Sequence, residues 1–226
     1  MKKLKLICIA LLSAGLLTTA QAGVEVYEAM GVDKGAVING TQASARVLPN
    51  SEDDEKQIVC LVAYLSGKKD KATAVNLKLA ILRDGADGLR PVWEQDFGAK
   101  YGGFVGEGDL QLFDLDRDGL SEMIVTFDLF SEPLIRQRFG EVIVWEESSF
   151  ETGWSGAFEY DATKAVRDLP VERRDRYKRE LDYASTLRTR GVTLFFNKTM
   201  LAVAGERLAE PKVIEETFPL RTRLNY

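Results

Sequence analysis

The 226-residue sequence contains no histidine. This absence excludes catalytic sites of the Ser-His-Asp and Cys-His types, and it also excludes histidine-ligated zinc and non-haem iron. An enzyme with this composition would have to work with carboxylates, lysine or tyrosine. The glycine-rich stretch 102–108 lacks the Lys-Ser/Thr ending of a phosphate-binding loop, so it predicts a turn that leads into a strand.

Cysteine is scarce as well, because the sequence holds only Cys8 and Cys60. Cys8 lies in an N-terminal apolar run that we expect to be removed, and a single remaining cysteine cannot form an intramolecular disulfide. Cys60 lies in the nearly unbroken apolar run 57–64. This setting predicts a small buried side chain rather than a reactive thiol.

Positive charge is in deficit, with 30 Lys and Arg against 35 Asp and Glu and a net charge of −5. Three of the basic residues lie in the first 22 positions, so the rest of the chain has 27 basic and 35 acidic residues and a net charge of −8. This balance argues against nucleic acid as a partner.

The N-terminus has the pattern of an export signal. A positive segment, 1–5, precedes the apolar run 6–17, and Ala20-Gln21-Ala22 offers a small-residue cleavage site. The apolar run has 12 residues, whereas a bilayer span needs about 20. We therefore predict a signal peptide over 1–22, cleavage before Gly23, no transmembrane span, and a periplasmic or secreted protein.

The densest chemical signal is an acidic loop over 114–122, in which aspartates alternate and Gly119 permits a sharp turn. Ca²⁺ takes six to eight oxygen ligands in a flexible shell. Five residues are predicted to supply them, four through carboxylates and one through its backbone carbonyl: Asp114, Asp116, Asp118 and Glu122, and the carbonyl of Leu120. An EF-hand would need a glutamate at position 12 of the loop, but Val125 stands there, in a strand-like run. A turn that keeps these acids without a metal is the alternative interpretation.

Residues 106–127 resemble a single FG-GAP repeat of the VCBS type, also found in integrin α chains, whose pattern is D-x-D-x-D-G-x-x-D/E followed by a hydrophobic strand. The Gly-Ala-Pro tripeptide of that family is missing after the strand. The resemblance implies calcium and a blade-like β-loop-β unit, without implying a function. Because only one copy is present and a seven-bladed ring needs roughly twice this length, we expect no complete propeller.

The remaining patterns predict a mainly β protein of antiparallel strands. Apolar residues alternate over 75–81, as in a half-buried strand. An irregular or strand-forming segment over 23–56 would precede a β-rich domain over 57–226. One helix is expected at about 171–189, because Pro170 suits its start and Gly191 its end.

These features favour an exported calcium-binding module that meets a protein or glycan partner. Two alternatives stay open. One is a periplasmic inhibitor or immunity protein against a cell-wall hydrolase. The other is a glycan-active enzyme that uses Glu147 and Glu151, which lie in a stretch bounded by Trp145 and Trp154.

Overall fold

The computed structural model describes residues 20–21, 23–49, 57–66, 74–102, 105–130, 135–146, 148–165, 169–187 and 191–220. Apart from 20–21, the predicted signal peptide lies outside these ranges. Among the described residues, no helix has both the length and the apolar character that crossing a membrane requires.

The described residues form twelve strands, two short α-helices and two 3₁₀ turns. The strands are β1 Ala20–Gln21, β2 Val37–Ala45, β3 Gln57–Ser66, β4 Ala74–Arg83, β5 Arg90–Asp96, β6 Val105–Phe113, β7 Glu122–Leu129, β8 Arg136–Glu146, β9 Ser149–Asp161, β10 Arg176–Leu187, β11 Gly191–Val203 and β12 Glu206–Leu220. The helices are α1 Val24–Ala29 and α2 Phe97–Lys100, and the 3₁₀ turns are Lys34–Ala36 and Val171–Arg173.

The strands form two antiparallel sheets in which sequence neighbours are also spatial neighbours. The smaller sheet has the order β1-β2-β3-β4-β5, and the larger has the order β12-β11-β10-β9-β8-β7-β6. The sequence prediction of a mainly β, antiparallel protein without a closed propeller is therefore confirmed. β2 comes from the N-terminal segment and pairs with β3, so that segment completes the smaller sheet.

The main core lies between the two sheets. Leu61 and Leu79 of the smaller sheet are packed in one cluster with Leu112, Val125 and Phe127 of the larger sheet. This packing follows from period-2 patterning, because alternate residues of each strand face the opposing sheet. The sheets approach closely at β6, where a Cβ added to glycine 108 would lie only 3.0 Å from Leu77 and 3.1 Å from Leu61.

The outer face of the smaller sheet is covered by α1. Val26 and Met30 pack there against Cys60 and Val62. Cys60 is fully buried, and desolvation raises the pKa of its thiol to about 12. The prediction of a small buried side chain is confirmed, and a raised thiol pKa disfavours the nucleophilic thiolate.

The larger sheet curls so that its C-terminal strands cover its own second face. β10 pairs with β9 through only three registered residues, Arg176 to Lys178, whereas it pairs with β11 over most of its length. Beyond this short seam, Phe196 and Leu220 from β11 and β12 pack on Ile124, Val142 and Trp154. β7 and the middle of β8 are consequently buried on both faces, whereas β9 keeps exposed residues.

The predicted helix at about 171–189 is wrong: in the described part of this range, up to Leu187, the 3₁₀ turn Val171–Arg173 is the only helical segment, and β10 follows it. Tyr177 stacks on Tyr160 of β9, with ring centroids 5.3 Å apart, and Leu181 packs in the aromatic side of the sheet. A spacing of four residues, as between Tyr177 and Leu181, lies on one face in both a helix and a strand, so this apolar pair does not distinguish the two. Long-range pairing with β11 decides between them.

Candidate metal site

The acidic loop is the connection between β6 and β7. It begins at Asp114, directly after β6, and reaches β7 at Glu122. Arg117 and Gly119 adopt φ values of 63° and 88°, so the backbone turns twice through the left-handed region. Glycine enters this region without a steric penalty, which explains its place in the loop.

The aspartate side chains fold the loop around themselves by accepting backbone N–H groups. The amide of Asp118 donates to Asp114 Oδ1 and to Asp116 Oδ1, both at 3.1 Å, and the amide of Gly119 donates to Asp114 Oδ2 at 3.2 Å. Each carboxylate oxygen has two lone pairs, so an oxygen that accepts an amide can still ligate a cation.

Three of the predicted ligands converge. One oxygen each from Asp114, Asp116 and Glu122 lie within 4.8 Å of one another, an arrangement that could hold a metal ion. Glu122 is only 5% exposed, and its Oε2 accepts the amide of Leu115 at 2.6 Å. This hydrogen bond fixes the buried carboxylate across the mouth of the loop.

The other two predicted ligands, Asp118 and the carbonyl of Leu120, are not part of this group of three carboxylates and stay a prediction. Asp118 Oδ1 accepts the amide of Leu120 at 2.7 Å, which closes the last turn before β7. The side chain of Leu120 is buried and anchors that turn. Asp118 thus shapes the loop, and its carboxylate also lies beside Asp116, whose pKa it raises.

The loop concentrates negative charge that the described residues do not neutralise: none of its four carboxylates forms an ion pair with a lysine or arginine described here. Burial, and then the charge of Asp118, raise the pKa of Asp116 to about 6. Burial also raises the pKa of Glu122 well above its usual value, with the neighbouring aspartates adding to the effect. A bound cation would remove this penalty.

The loop is tied to the smaller sheet by one backbone contact. The amide of Ser121 donates to the carbonyl of Arg46 at 2.8 Å, and Arg46 directly follows β2. The loop thus lies where a turn of the larger sheet meets the smaller sheet, and an ion bound here would fix that junction.

The two tryptophans that bound the stretch 145–154 lie on opposite faces of the larger sheet, so they do not line one groove. Trp145 packs edge-on against Phe150 beside the inter-sheet core, whereas Trp154 stacks on Phe196 on the other face of the larger sheet. Glu151 is exposed and accepts the hydroxyl of Ser149, and Glu147 lies outside the described residues.

Sequence reasoning missed a buried carboxylate in β8. Glu141 has no exposed surface and accepts hydrogen bonds from four side chains: Gln95, Lys100, Tyr101 and Thr152. Burial and then the bond to Glu141 raise the pKa of Tyr101. The only sequence signal is one glutamate inside an apolar strand, because its partners in β5 and α2 are 40 to 46 positions away.

Comparisons of the chain with protein-family models, curated proteins and solved structures found no match. The fold and the loop therefore define the protein only as a two-sheet antiparallel β protein with an acidic candidate metal site.

Proposed function

We propose that the loop from Asp114 to Glu122 binds calcium, and that the protein is an exported binding module whose sheets this ion holds together. The observation that carries the proposal is the approach of three carboxylates within 4.8 Å, one of them buried, without a basic partner among the described residues. Burying an uncompensated carboxylate is costly, and a divalent cation is the simplest compensation.

Calcium fits this donor set better than other common metals. The converging side chains offer only oxygen, which disfavours zinc and copper sites built from histidine or cysteine. Mg²⁺ demands a near-ideal octahedron and keeps several waters, whereas Ca²⁺ accepts an irregular shell of carboxylates, carbonyls and water. The resemblance of residues 106–127 to an FG-GAP repeat supports the same ion.

A binding role suits the location of the site. The loop joins two strands of one sheet and contacts the end of β2, so the ion would hold strands in register at a junction of the two sheets. The export signal predicted over 1–22 would take the protein to a compartment where calcium is available at higher concentration than in the cytosol, and its partner there would be a protein or a glycan.

Calorimetric titration of the purified protein with Ca²⁺ tests the proposal. We expect one saturable site in the wild type and no binding in Asp116→Ala. Asp87→Ala removes an exposed aspartate from the turn after β4 and should bind like the wild type. Equal heats in all three proteins, or no binding in the wild type, would overturn the proposal.

A further inference from the structure

A cleft of about 660 Å³ lies at one end of the larger sheet. Its walls come from the end of β7, the start of β8, the end of β9 and the start of β10, which are neighbours in the sheet. This volume is within the range of protein sites that bind small ligands. The acidic loop joins the opposite end of β7, so the cleft is a separate feature of the molecule.

Charged side chains cross the cleft as a ladder of alternating sign. The register places Asp128, Arg138, Glu159 and Lys178 opposite one another on four successive strands. Ion pairs hold the ladder in place, with Arg138 Nη1 3.1 Å from Asp128 Oδ1 and Lys178 Nζ 3.0 Å from Glu159 Oε1. At about 4.8 Å between strands, the ladder extends over roughly 14 Å. It is therefore long enough for a short linear ligand.

A second charged row borders this ladder at the strand ends. Asp161 lies between Arg136 on β8 and Arg176 on β10, and Arg176 Nε approaches Asp161 Oδ2 to 3.4 Å. Arg136 is exposed and forms no ion pair with a described residue. Its guanidinium group therefore offers the cleft hydrogen-bond donors that no described carboxylate engages.

The cleft has no excess of either charge. Its lining includes four basic and three acidic side chains, and Arg138 also pairs with Asp109 beside the cleft. This balance disfavours a polyanion such as nucleic acid, which requires a surplus of positive charge. The cleft instead offers donors and acceptors side by side, and a hydroxyl group can bridge them because it both donates and accepts.

Aromatic rings add an apolar surface to this polar cleft. Phe130 directly follows β7 and is 53% exposed. Tyr160 and Tyr177 also line the cleft, and they stack with their ring centroids 5.3 Å apart. An exposed ring beside donors and acceptors suits a sugar, because a sugar ring has apolar C–H faces and hydroxyl groups around its rim.

An extended peptide suits the cleft less well than a sugar. Each of its four strands has a neighbour on both sides in the larger sheet, so the cleft contains no free strand edge at which a peptide backbone could pair. The ligand must therefore be recognised by side chains alone, and these side chains match hydroxyl groups and an apolar ring face.

We propose that this cleft binds a segment of a neutral glycan, whose sugar rings follow the charge ladder while one ring packs on Phe130. Arg136 donates to a hydroxyl oxygen at the end of the strands. The inference rests on the binding role proposed above, and it gives the partner a chemical class. It does not depend on the metal, because the acidic loop and the cleft lie at opposite ends of β7.

Calorimetric titration with three neutral hexasaccharides, cellohexaose, chitohexaose and maltohexaose, tests the proposal. All titrations are run in chelator, so their result does not depend on whether the acidic loop binds calcium. We expect the wild type to bind at least one of the three, and to bind hexagalacturonate, an anionic chain of the same length, more weakly. A wild type that binds none of the three, or that prefers hexagalacturonate, overturns the proposal.

Two variants and two matched controls locate the binding site. Phe130→Ala removes the exposed ring and Arg136→Ala removes the free donors, so each should weaken glycan binding at least about fivefold. Val92→Ala and Arg90→Ala change exposed residues of β5, in the smaller sheet, and should bind like the wild type. Thermal melting verifies that all four variants fold. Equal affinities in folded cleft variants and controls would overturn the proposed site.

Discussion

At the scale of single residues, Glu122 is the most deeply buried carboxylate of the acidic loop, and Asp116 is half-buried beside it. Backbone amides hold both carboxylates in place by donating hydrogen bonds to them. These amides carry no positive charge, so they do not neutralise the carboxylates. The loop is therefore folded but electrostatically unfavourable without a cation. Two predictions follow from this imbalance.

The first concerns Glu122→Gln. In chelator, the variant should be more stable than the wild type by about 1 kcal/mol, because it removes a buried charge while its amide oxygen can still accept the Leu115 N–H. In excess Ca²⁺, the order should reverse, since the wild type gains roughly 2.7 kcal/mol at a hundredfold excess over Kd. Urea unfolding in both conditions measures this. Glu151→Gln, at an exposed position, is the control. If Glu122→Gln were more stable than the wild type both in chelator and in Ca²⁺, the proposed metal site would be contradicted.

The second concerns pH. Because the pKa of Asp116 rises from 3.8 to about 6 on folding, the folded state holds more protons than the unfolded state between these values. In chelator, the free energy of unfolding should therefore fall as pH rises through this window. Protons compete with Ca²⁺ for the same oxygens, so calcium affinity should weaken below about pH 6. Thermal melting in chelator and titration with Ca²⁺, each across pH 5 to 7, measure these two pH dependences. A melting temperature in chelator that rises with pH would contradict the predicted loss of stability.

At the scale of elements, β10 shows how far local patterns reach. Its alternation places Arg179 inward, where the side chain is 9% exposed, contacts Glu216 at 2.8 Å and lies 6.0 Å from the Trp154 ring centroid. Its neighbour Lys178 points outward and is 52% exposed. This inside-outside contrast between adjacent residues is what a strand requires.

We predict that Arg179→Met costs about 2 kcal/mol, because it leaves the partly buried Glu216 with only Lys198 as a partner. Lys178→Met should change stability by less than about 0.5 kcal/mol, because its ion pair is exposed. Urea denaturation of both variants measures the difference. Similar costs at the two positions would contradict the strand assignment.

The same element separates what the sequence can reveal from what it cannot. The acidic loop and the alternating strand over 75–81 were predictable, because spacing over a few residues determines them. The helix prediction failed because Pro170 and Gly191 are also suitable neighbours of a strand, and the pairing of β10 with β11 and β9 is a tertiary effect. The curl that places β12 over the larger sheet left no local signal either.

At the scale of the whole molecule, Glu141 connects parts that are distant in sequence. It lies in β8, while Lys100 and Tyr101 lie at the end of α2, which follows the smaller sheet, and Lys100 Nζ approaches Glu141 Oε2 to 2.8 Å. This network anchors the connection between the two sheets. No local sequence pattern predicts this network, because only the folded chain brings these residues together.

We expect Glu141→Gln to destabilise the whole protein by about 2 kcal/mol, because Lys100 loses its charged partner. The loss is limited to this size because the Lys100 side chain can still reach solvent. Because the sheets share one core, unfolding should remain a single transition at lower temperature. Glu159→Gln, in an exposed ion pair, is the matched control and should change little. Calorimetric melting measures both effects, and two separate transitions would show that the sheets unfold independently.

The most direct test of the central claim is a crystal structure of the protein grown or soaked in calcium. The account predicts a density peak within about 2.3 to 2.6 Å of oxygens from Asp114, Asp116 and Glu122, with an anomalous signal typical of calcium. Crystals saturated with calcium that show no ion among these carboxylates would contradict it, and the loop would then be an acidic turn without a metal.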